Sequence, residues 1–322
     1  MKEEKVLFKN DFFTYKEGNA PKIKVLNLNA KDSFGEVIFC ELFDGILLSF
    51  IDIQAEVLPI FDDSYSGNLY LINYCLDGRC EVNVNSGAST CISDGEICIS
   101  SSSQVKTYTY PRKHYAGIEL YFFIDKINQC NEHIFEMFDI DLKQIFNDYC
   151  GDTKPYISTL TPKIEQQLKE IYYLKNDDGG FKTKISVMNL LHLLYKNELP
   201  LKTKSKIFLT PTQIEIVKFA EKIVSENLQI NHTVSSLAQK CSVSESSFKN
   251  YFKAYYGQSI TEYVKELRLK EAAKQLVNTD RKILEIASEV GYENASKFAS
   301  AFNAKYSVKP LEYRRLNKLN KL

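Results

Sequence analysis

Residues 234–255, VSSLAQKCSVSESSFKNYFKAY, and residues 283–306, ILEIASEVGYENASKFASAFNAKY, decide the reading of this chain. Each stretch predicts a short helix, a tight turn and a longer helix that ends in paired aromatics, Tyr251/Phe252 in one and Phe298/Phe302 in the other. Ala238 and Ala287 occupy equivalent points, where two helices cross closely and only a small side chain fits. Ala238 to Phe248 is ten residues and Ala287 to Phe298 is eleven. This spacing packs the second helix of each pair on the first and leaves its outer face free for a DNA groove. Two helix-turn-helix signatures in tandem imply a domain that reads two adjacent major-groove segments as a monomer.

In the first long helix Phe248, Tyr251 and Phe252 are expected to point inward, leaving Ser246, Ser247, Lys249, Asn250 and Lys253 outward. In the second, Phe298, Ala301 and Phe302 point inward, and Asn294, Ser296, Lys297, Ser300 and Asn303 face out. Lys can donate to guanine, Asn can bridge the adenine edge, and Ser suits base edges or phosphate. A plain solvated helix face is the alternative for any one of them. Between the pairs, TEYVKELRLKEAAKQLVN (261–278) carries Val264, Leu267, Ala272 and Leu276 at helical spacing and reads as a strut.

Charge supports the same division. From Thr210 onward there are 18 Lys and Arg against 12 Asp and Glu, whereas residues 1–209 carry 23 against 29. A basic segment joined to an acidic one fits a phosphate-binding module fused to a module of another kind. The expected organisation is a unit over 1–198 (β-rich 1–124, helical 125–198), a linker at 199–209 and a DNA-binding domain over 210–322. Thr210-Pro211-Thr212-Gln213 reads as a capping box that opens it.

The chain also resembles a known family. Leu237-Ala238, Phe248, Phe252, Gly257, Ser259, Arg268-Leu269, Ala272, Ile286-Ala287, Val290-Gly291-Tyr292, Phe298, Phe302, Pro310 and Tyr313-Arg314 look like the motif set of AraC/XylS bacterial transcription regulators. The likeness covers residues 210–318, about a third of the chain. It implies seven helices, two helix-turn-helix units, activation of transcription with RNA polymerase as partner, and base contacts from Ser246, Lys249, Asn250, Ala295, Ser296, Lys297 and Ser300. It further implies an N-terminal cupin-like sensor barrel and helices that dimerise; the Leu- and Met-rich face of 181–198 suits either a homodimer seam within 162–198 or packing against its own barrel. The chain departs from the pattern at Ser300 and Asn303, where relatives often carry Arg and Lys, and at Tyr306-Ser307, where they carry Phe-Gly. The first unit is therefore expected to carry more of the specificity.

The fold class expected is α+β in two domains, an N-terminal β-barrel followed by helices and then an all-α domain. LYLINYCLDGRCEVNV (69–84) reads as two strands joined by a hairpin at Asp77-Gly78. Further turns are expected at Asn85-Ser86-Gly87 and Asp94-Gly95, and AGIELYFFI (116–124) reads as the last buried strand. Segments 162–176 and 181–198 have helical spacing. In the β region Arg79, Lys106, Tyr108, Tyr110, Arg112, His114 and Tyr115 are the candidate effector-binding groups, with a surface loop as the competing account.

Enzyme chemistry finds little support. Only His114 of the four histidines lies in the strand region, against a His-based metal centre, and no cofactor is implied. GxSxG, HExxH, P-loop and GxGxxG motifs are absent. Eight cysteines stand at 40, 75, 80, 91, 98, 130, 150 and 241 without a CxxC, so reduced core thiols are expected. A redox pair among Cys75, Cys80, Cys91 and Cys98 is the alternative, as is a regulator whose barrel is only a scaffold. No apolar run of membrane length occurs, and MKEEKVLFKNDFF lacks a leader's apolar core, so a cytoplasmic protein is expected.

Overall fold

Asp-Gly dipeptides punctuate the N-terminal half, and each does something different. The structure, a computed structural model, describes residues 13–17, 23–30, 33–57, 68–84, 87–102, 105–130, 132–150, 154–177, 179–201 and 206–319. The leader reading of the first twelve residues falls outside them. The chain divides into two compact units, Met1–Thr210 and Pro211–Leu322.

The first unit is built on antiparallel strands: β1 (Phe13–Glu17), β2 (Ile23–Ala30), β3 (Ser33–Phe43), β4 (Ile46–Gln54), β5 (Leu69–Val84), β6 (Ser89–Ser93), β7 (Glu96–Ser101), β8 (Val105–Thr109), β9 (Tyr115–Phe123) and β10 (Tyr156–Thr159). They run in the order β1-β2-β3-β4-β9-β5-β7-β10, with β6 and β8 paired to β5. Asp44-Gly45 closes the β3–β4 hairpin, as such a dipeptide commonly does. Asp77-Gly78 does not. Residues 69–84 are one continuous strand, and the expected hairpin is instead a bulge where the register against β9 slips between Cys75 and Asp77. Gly78 has φ +100°, and a Cβ there would stand 2.3 Å from the His114 carbonyl oxygen, so only glycine lets β5 bend this close to β9. Below the bulge β5 pairs with β7 and β9; beyond it, with β6 and β8. Asp94-Gly95 carries the chain from β6 to β7, and Gly95 N donates to Cys75 O.

The bulge has a consequence for the thiols. Cys75 and Cys80 are an odd number of residues apart, which in a regular strand sends them to opposite faces. The extra residue restores the phase, and both lie in one inner core.

Helices α1 (Ile124–Cys130), α2 (Glu132–Met137), α3 (Leu142–Tyr149), α4 (Pro162–Tyr173) and α5 (Phe181–Tyr195) cover one face of the sheet. Ile118, Leu120 and Phe122 of β9 and Ile72 and Tyr74 of β5 meet Ile164, Leu168, Val187 and Leu191 there. The opposite face packs on itself: Val37, Ile51, Ile53, Leu71, Tyr110, Tyr115, Tyr121 and Phe123 form a core with no helical member. All nine residues of β9 are consequently buried. The last strand is β10, not β9. Residues 156–159, which fall between the predicted strand and helices, pair with β7. A four-residue strand shows no periodicity of its own.

The inner face holds one polar layer. Ser49, Glu119 and Asn73 are direct register neighbours across β4, β9 and β5. Asn73 Nδ2 donates to Glu119 Oε1 at 2.7 Å, the Tyr121 hydroxyl donates to Oε2, and Tyr115 donates to Asn73 Oδ1 at 2.6 Å. Every member has a partner, which a buried polar group requires.

The expected linker is partly docked. Ser89 and Leu209 exchange both main-chain hydrogen bonds, at 2.8 and 2.7 Å, and Thr90 Oγ1 donates to Ile207 O at 2.9 Å. Lys206 Nζ reaches both Glu96 oxygens at 2.5 and 2.6 Å. Residues 206–209 thus lie along the free edge of β6. No helix among the described residues is long and apolar enough to cross a membrane.

Burial pushes the Glu119 carboxyl up to about 7, against the donors Tyr121 and Asn73, which favour its ionised form. An acid whose native value exceeds its ordinary 4.5 binds the extra proton in the folded state between the two. Its effect on stability is therefore absent below the ordinary value, destabilising as pH rises through the interval, and constant above about 7. We expect the thermal midpoint to fall from pH 5 to pH 8 and Glu119→Gln to remove most of that slope. An unchanged slope in the variant assigns it to other groups.

Candidate nucleic-acid interface

The second unit contains seven helices among the described residues: α6 (Pro211–Glu226), α7 (Val234–Lys240), α8 (Glu245–Tyr256), α9 (Ile260–Asn278), α10 (Ile283–Glu289), α11 (Ala295–Tyr306) and α12 (Pro310–Leu319). The two quoted stretches fold as helix pairs, α7–α8 and α10–α11. Thr233 caps α7, its side chain accepting from Ser236 N at 3.1 Å. Ser244 caps α8, accepting from Ser247 N at 3.2 Å. Asn294 caps α11, accepting from Ser296 N at 2.7 Å and Lys297 N at 3.3 Å. Such caps satisfy amide groups that a helix start leaves without partners.

Each turn closes on the buried alanine: Val243 N donates to Ala238 O, and Tyr292 N donates to Ala287 O. A left-handed residue marks each turn, Ser242 at φ 56° and Gly291 at φ 85°. The cap stands four residues before Phe248 or Phe298 in both pairs, so the extra residue of the second pair falls between Gly291 and Asn294.

Behind the long helices the aromatic packing repeats. Phe252 lies 5.9 Å from Phe248, 4.6 Å from Tyr256 and, edge on, 5.4 Å from Tyr263. Phe302 lies 5.6 Å from Phe298, 4.5 Å from Tyr306 and, edge on, 5.3 Å from Tyr313. Offset and edge-on rings of this kind are favourable beyond their buried area. The second cluster is joined by Leu269, Ala272, Leu276, Ile286 and Ala287. Along α9, Val264, Ala272 and Leu276 are buried as expected, while Leu267 is half-buried and Leu269 takes the deep position.

The opposite faces are polar. Ser246, Lys249, Asn250 and Lys253 are exposed on α8. Ser247 is half-buried, and its hydroxyl meets Ser244 Oγ at 2.9 Å. Tyr251 is half-buried rather than inward, because the deep rings near the helix end are Tyr255 and Tyr256. Ser296, Lys297, Ser300 and Asn303 are exposed on α11, and Ala295 is half-buried. Asn294 is engaged as the cap. Lys249 pairs with Glu245 at 3.7 Å, both exposed. Glu266 joins α9 to α11: it holds Lys270 at 3.1 Å and Lys305 at 3.4 Å. Burial pushes its carboxyl up, but the Gln258 hydrogen bond and the two lysines outweigh this and hold it at about 2.

Two arginines that the sequence offered only as motif letters turn out to be clamps. Arg268 donates to Leu228 O at 2.9 Å, Ile230 O at 3.0 Å and Gly291 O at 3.1 Å. Arg314 donates to Leu276 O at 3.2 Å and Arg281 O at 2.6 Å. An arginine aimed at main-chain carbonyls leaves no charge pattern in sequence to find it by.

Among the described residues the predicted effector groups differ in burial and in partners. Arg79 is buried on β5 and donates to Ser93 Oγ. Tyr110 is in the inner core, its ring 4.8 Å from Tyr115. His114 Nε2 meets Asp77 Oδ2 at 3.0 Å beside the bulge. Arg112 is half-buried in the turn before β9. The side chains of Lys106 and Tyr108 lie outside the described residues.

Comparison with known proteins fits this geometry. A family profile described as a helix-turn-helix domain matches residues 237–316. The probable transcription factor PqrA of Proteus vulgaris is 31% identical over 100 residues, 31% of this chain and 80% of that protein. The chain belongs to the AraC family. The bifunctional transcriptional activator/DNA repair enzyme AdaA of Bacillus subtilis is 30% identical over 105 residues, 33% of this AraC-family chain and 50% of AdaA. A transcriptional regulator of known structure from Chromobacterium violaceum, described as having an AraC-type DNA-binding domain, is 24% identical. It aligns with 32% of this chain and 93% of that one at a TM-score of 0.31. The chain spans about half of AdaA and 8% of a histidine kinase P4 from Formosa agariphila that it also matches.

Ser307 occupies the left-handed end of α11 at φ 59°, where glycine ends α8 at φ 80°. Only glycine adopts that conformation without a side-chain penalty. Ser307→Gly is expected to stabilise the second unit by about 1 kcal/mol, read as a higher urea midpoint of the full chain. A lower midpoint would mean that the serine makes a compensating contact.

Proposed function

We propose that this chain is a sequence-specific transcription regulator. Residues 211–322 bind double-stranded DNA, with α8 and α11 in successive major-groove segments. The observation that supports it best is the duplicated construction: two capped long helices, each held from behind by a four-ring cluster and each exposing a polar outer row. Ser246, Lys249 and Asn250 read bases from the first helix, with Ser247 turned toward its cap. Ala295, Ser296, Lys297 and Ser300 do so from the second, Ala295 through its methyl group against thymine. The first helix carries more of the specificity, since Ser300 and Asn303 are short donors. Transcription is activated, and RNA polymerase is the partner at the promoter. The protein works in the cytoplasm beside the DNA.

The N-terminal unit dimerises through residues 162–198 and responds to a small effector. Tyr173, Phe181 and Ile185 support the first role: these apolar residues on α4 and α5 are 73%, 79% and 45% exposed. For the second, Arg79, Arg112 and His114 are the candidate groups among the described residues once Tyr110 is counted as core, with Arg79 held by Ser93 and His114 by Asp77. One observation favours a scaffold without effector. The inner face is filled by its own side chains, Tyr110, Tyr115, Tyr121 and Phe123 among them. A thermal-shift panel of small anions, sugars and aromatic acids separates the two. A shift that Arg79→Ala abolishes supports the effector, and no shift supports the scaffold. A redox role has less in its favour, because burial raises the thiols of Cys75, Cys80, Cys91 and Cys98, that of Cys91 to about 11, and thiolate is the reactive form.

Selection of binding sites from genomic DNA at fixed near-physiological salt tests the main proposal. One enriched motif with two contact blocks about a helical turn apart is expected, and purely salt-sensitive, sequence-blind binding overturns it. On that motif Lys249→Ala should cost roughly 1–3 kcal/mol and relax preference at one base pair. An equal loss on unrelated sequences makes Lys249 a phosphate contact.

A further inference from the structure

We propose that Arg268 is a positioning residue that sets the separation of the two DNA-reading helices without touching the nucleic acid. The proposal rests on the reading of α8 and α11 as paired readers. Arg268 lies on α9, half-buried. Two of its three carbonyl partners, Leu228 and Ile230, belong to the segment that leads to Thr233, where α7 begins. They fix the entry of the first pair. The third, Gly291, is the left-handed residue between α10 and α11, and it fixes the entry of the second reader. One planar group therefore ties the two pairs directly, in addition to the covalent path along α9.

The close approach depends on Gly291 as well. A Cβ there would stand 2.4 Å from Leu228 O and 2.6 Å from Arg268 Nη2, so any other residue would push the two segments apart. The guanidinium is equally specific. Its N–H groups are fixed in one plane and reach three carbonyls at once, whereas a lysine ammonium on a flexible stem cannot reproduce that fork. With its donors committed to carbonyls, Arg268 has little left for a phosphate. Arg314 provides an internal control: both of its carbonyl partners, Leu276 and Arg281, lie at the α9–α10 connection, within the second half alone.

The experiment measures affinity of the full-length chain for duplexes that carry the selected two-block site, the same blocks moved by one or two base pairs, and the first block alone. Wild type should lose about tenfold or more when the blocks move, because each base pair also rotates the second block around the helix axis. Arg268→Lys should lose about tenfold on the natural spacing, the worth of one or two hydrogen bonds, while single-block affinity is kept. Its spacing profile should flatten. Gly291→Ala should flatten the profile by breaking the same clamp from the other side, which keeps the test alive if one variant folds poorly. Arg314→Lys should lower the thermal midpoint and leave the profile sharp.

A sharp wild-type profile that stays sharp in both clamp variants overturns the proposal alone. A flat wild-type profile overturns the two-reader reading and the clamp with it. Arg268→Gln should leave the slope of log affinity against log salt unchanged; a slope smaller by about one would make Arg268 a phosphate contact and also overturn it.

Discussion

The placement of each long helix, α8 and α11, rests on a ring cluster around one phenylalanine, Phe252 in the first pair and Phe302 in the second. Both side chains are fully buried, and both touch a ring one turn before, a ring one turn after and a ring from the next helix. Truncation of such a residue typically costs about 3–5 kcal/mol, against total stabilities of roughly 5–15 for a domain. The rings therefore hold a large share of what keeps each long helix in register. They also decide which face is left outward. With a period of 3.6, committing Phe248, Phe252 and Tyr256 to the core turns Ser246, Lys249, Asn250 and Lys253 to solvent. The readable face is the complement of the packed one.

That complementarity is why the C-terminal unit was legible in sequence. Helix ends, the alanine crossings and the outward rows follow from local chemistry: caps, small residues and aromatic spacing all act within a dozen residues. The failures there are of depth, not kind. Tyr251 reads as inward from its spacing, yet Tyr255 and Tyr256 take the space. The sheet is different, because its decisive constraints act over long separations. Asp44-Gly45 and Asp77-Gly78 are the same dipeptide between similar runs, but one ends a strand and the other bends it. What separates them is the His114 carbonyl packed against Gly78, far along the chain. Strand β10 and the docking of Leu209 on Ser89 are hidden for the same reason. Tyr110 and Tyr115 went into the core because a cluster of polar letters in one loop does not say which of them the core will absorb.

Inside the sheet the bulge and the polar layer are linked. Alternation places Asn73 and Cys75 on the inner face, and the slip after Cys75 keeps Cys80 and Val82 there as well. Without it the second half of β5 would turn its apolar side outward, and Glu81 and Arg79 inward. Ser49, Asn73 and Glu119 then form a connected polar layer between apolar side chains of the inner core. It is tolerated because Tyr115 and Tyr121 supply the missing donors from the same strand. The unit thus accepts a buried acid in return for a fixed register among β4, β9 and β5, strands that contribute to both cores.

The two helix pairs reach the same geometry by different means. The first is held largely by local chemistry: Thr233 caps α7, Ser244 caps α8, and Gly257 ends α8 in the left-handed conformation at no steric cost. In the second, Asn294 caps α11 and Glu285 accepts from Lys282 N, but the Lys282 side chain offers no acceptor at the start of α10 and Ser307 takes the strained end of α11. What the second pair lacks locally it gains from α9 and α12. Arg268 grips Gly291, Arg314 grips Arg281 and Leu276, and Glu266 holds Lys305. Both pairs depend on α9: Arg268 also holds Leu228 and Ile230 ahead of α7, and Tyr263 of α9 packs edge on against Phe252.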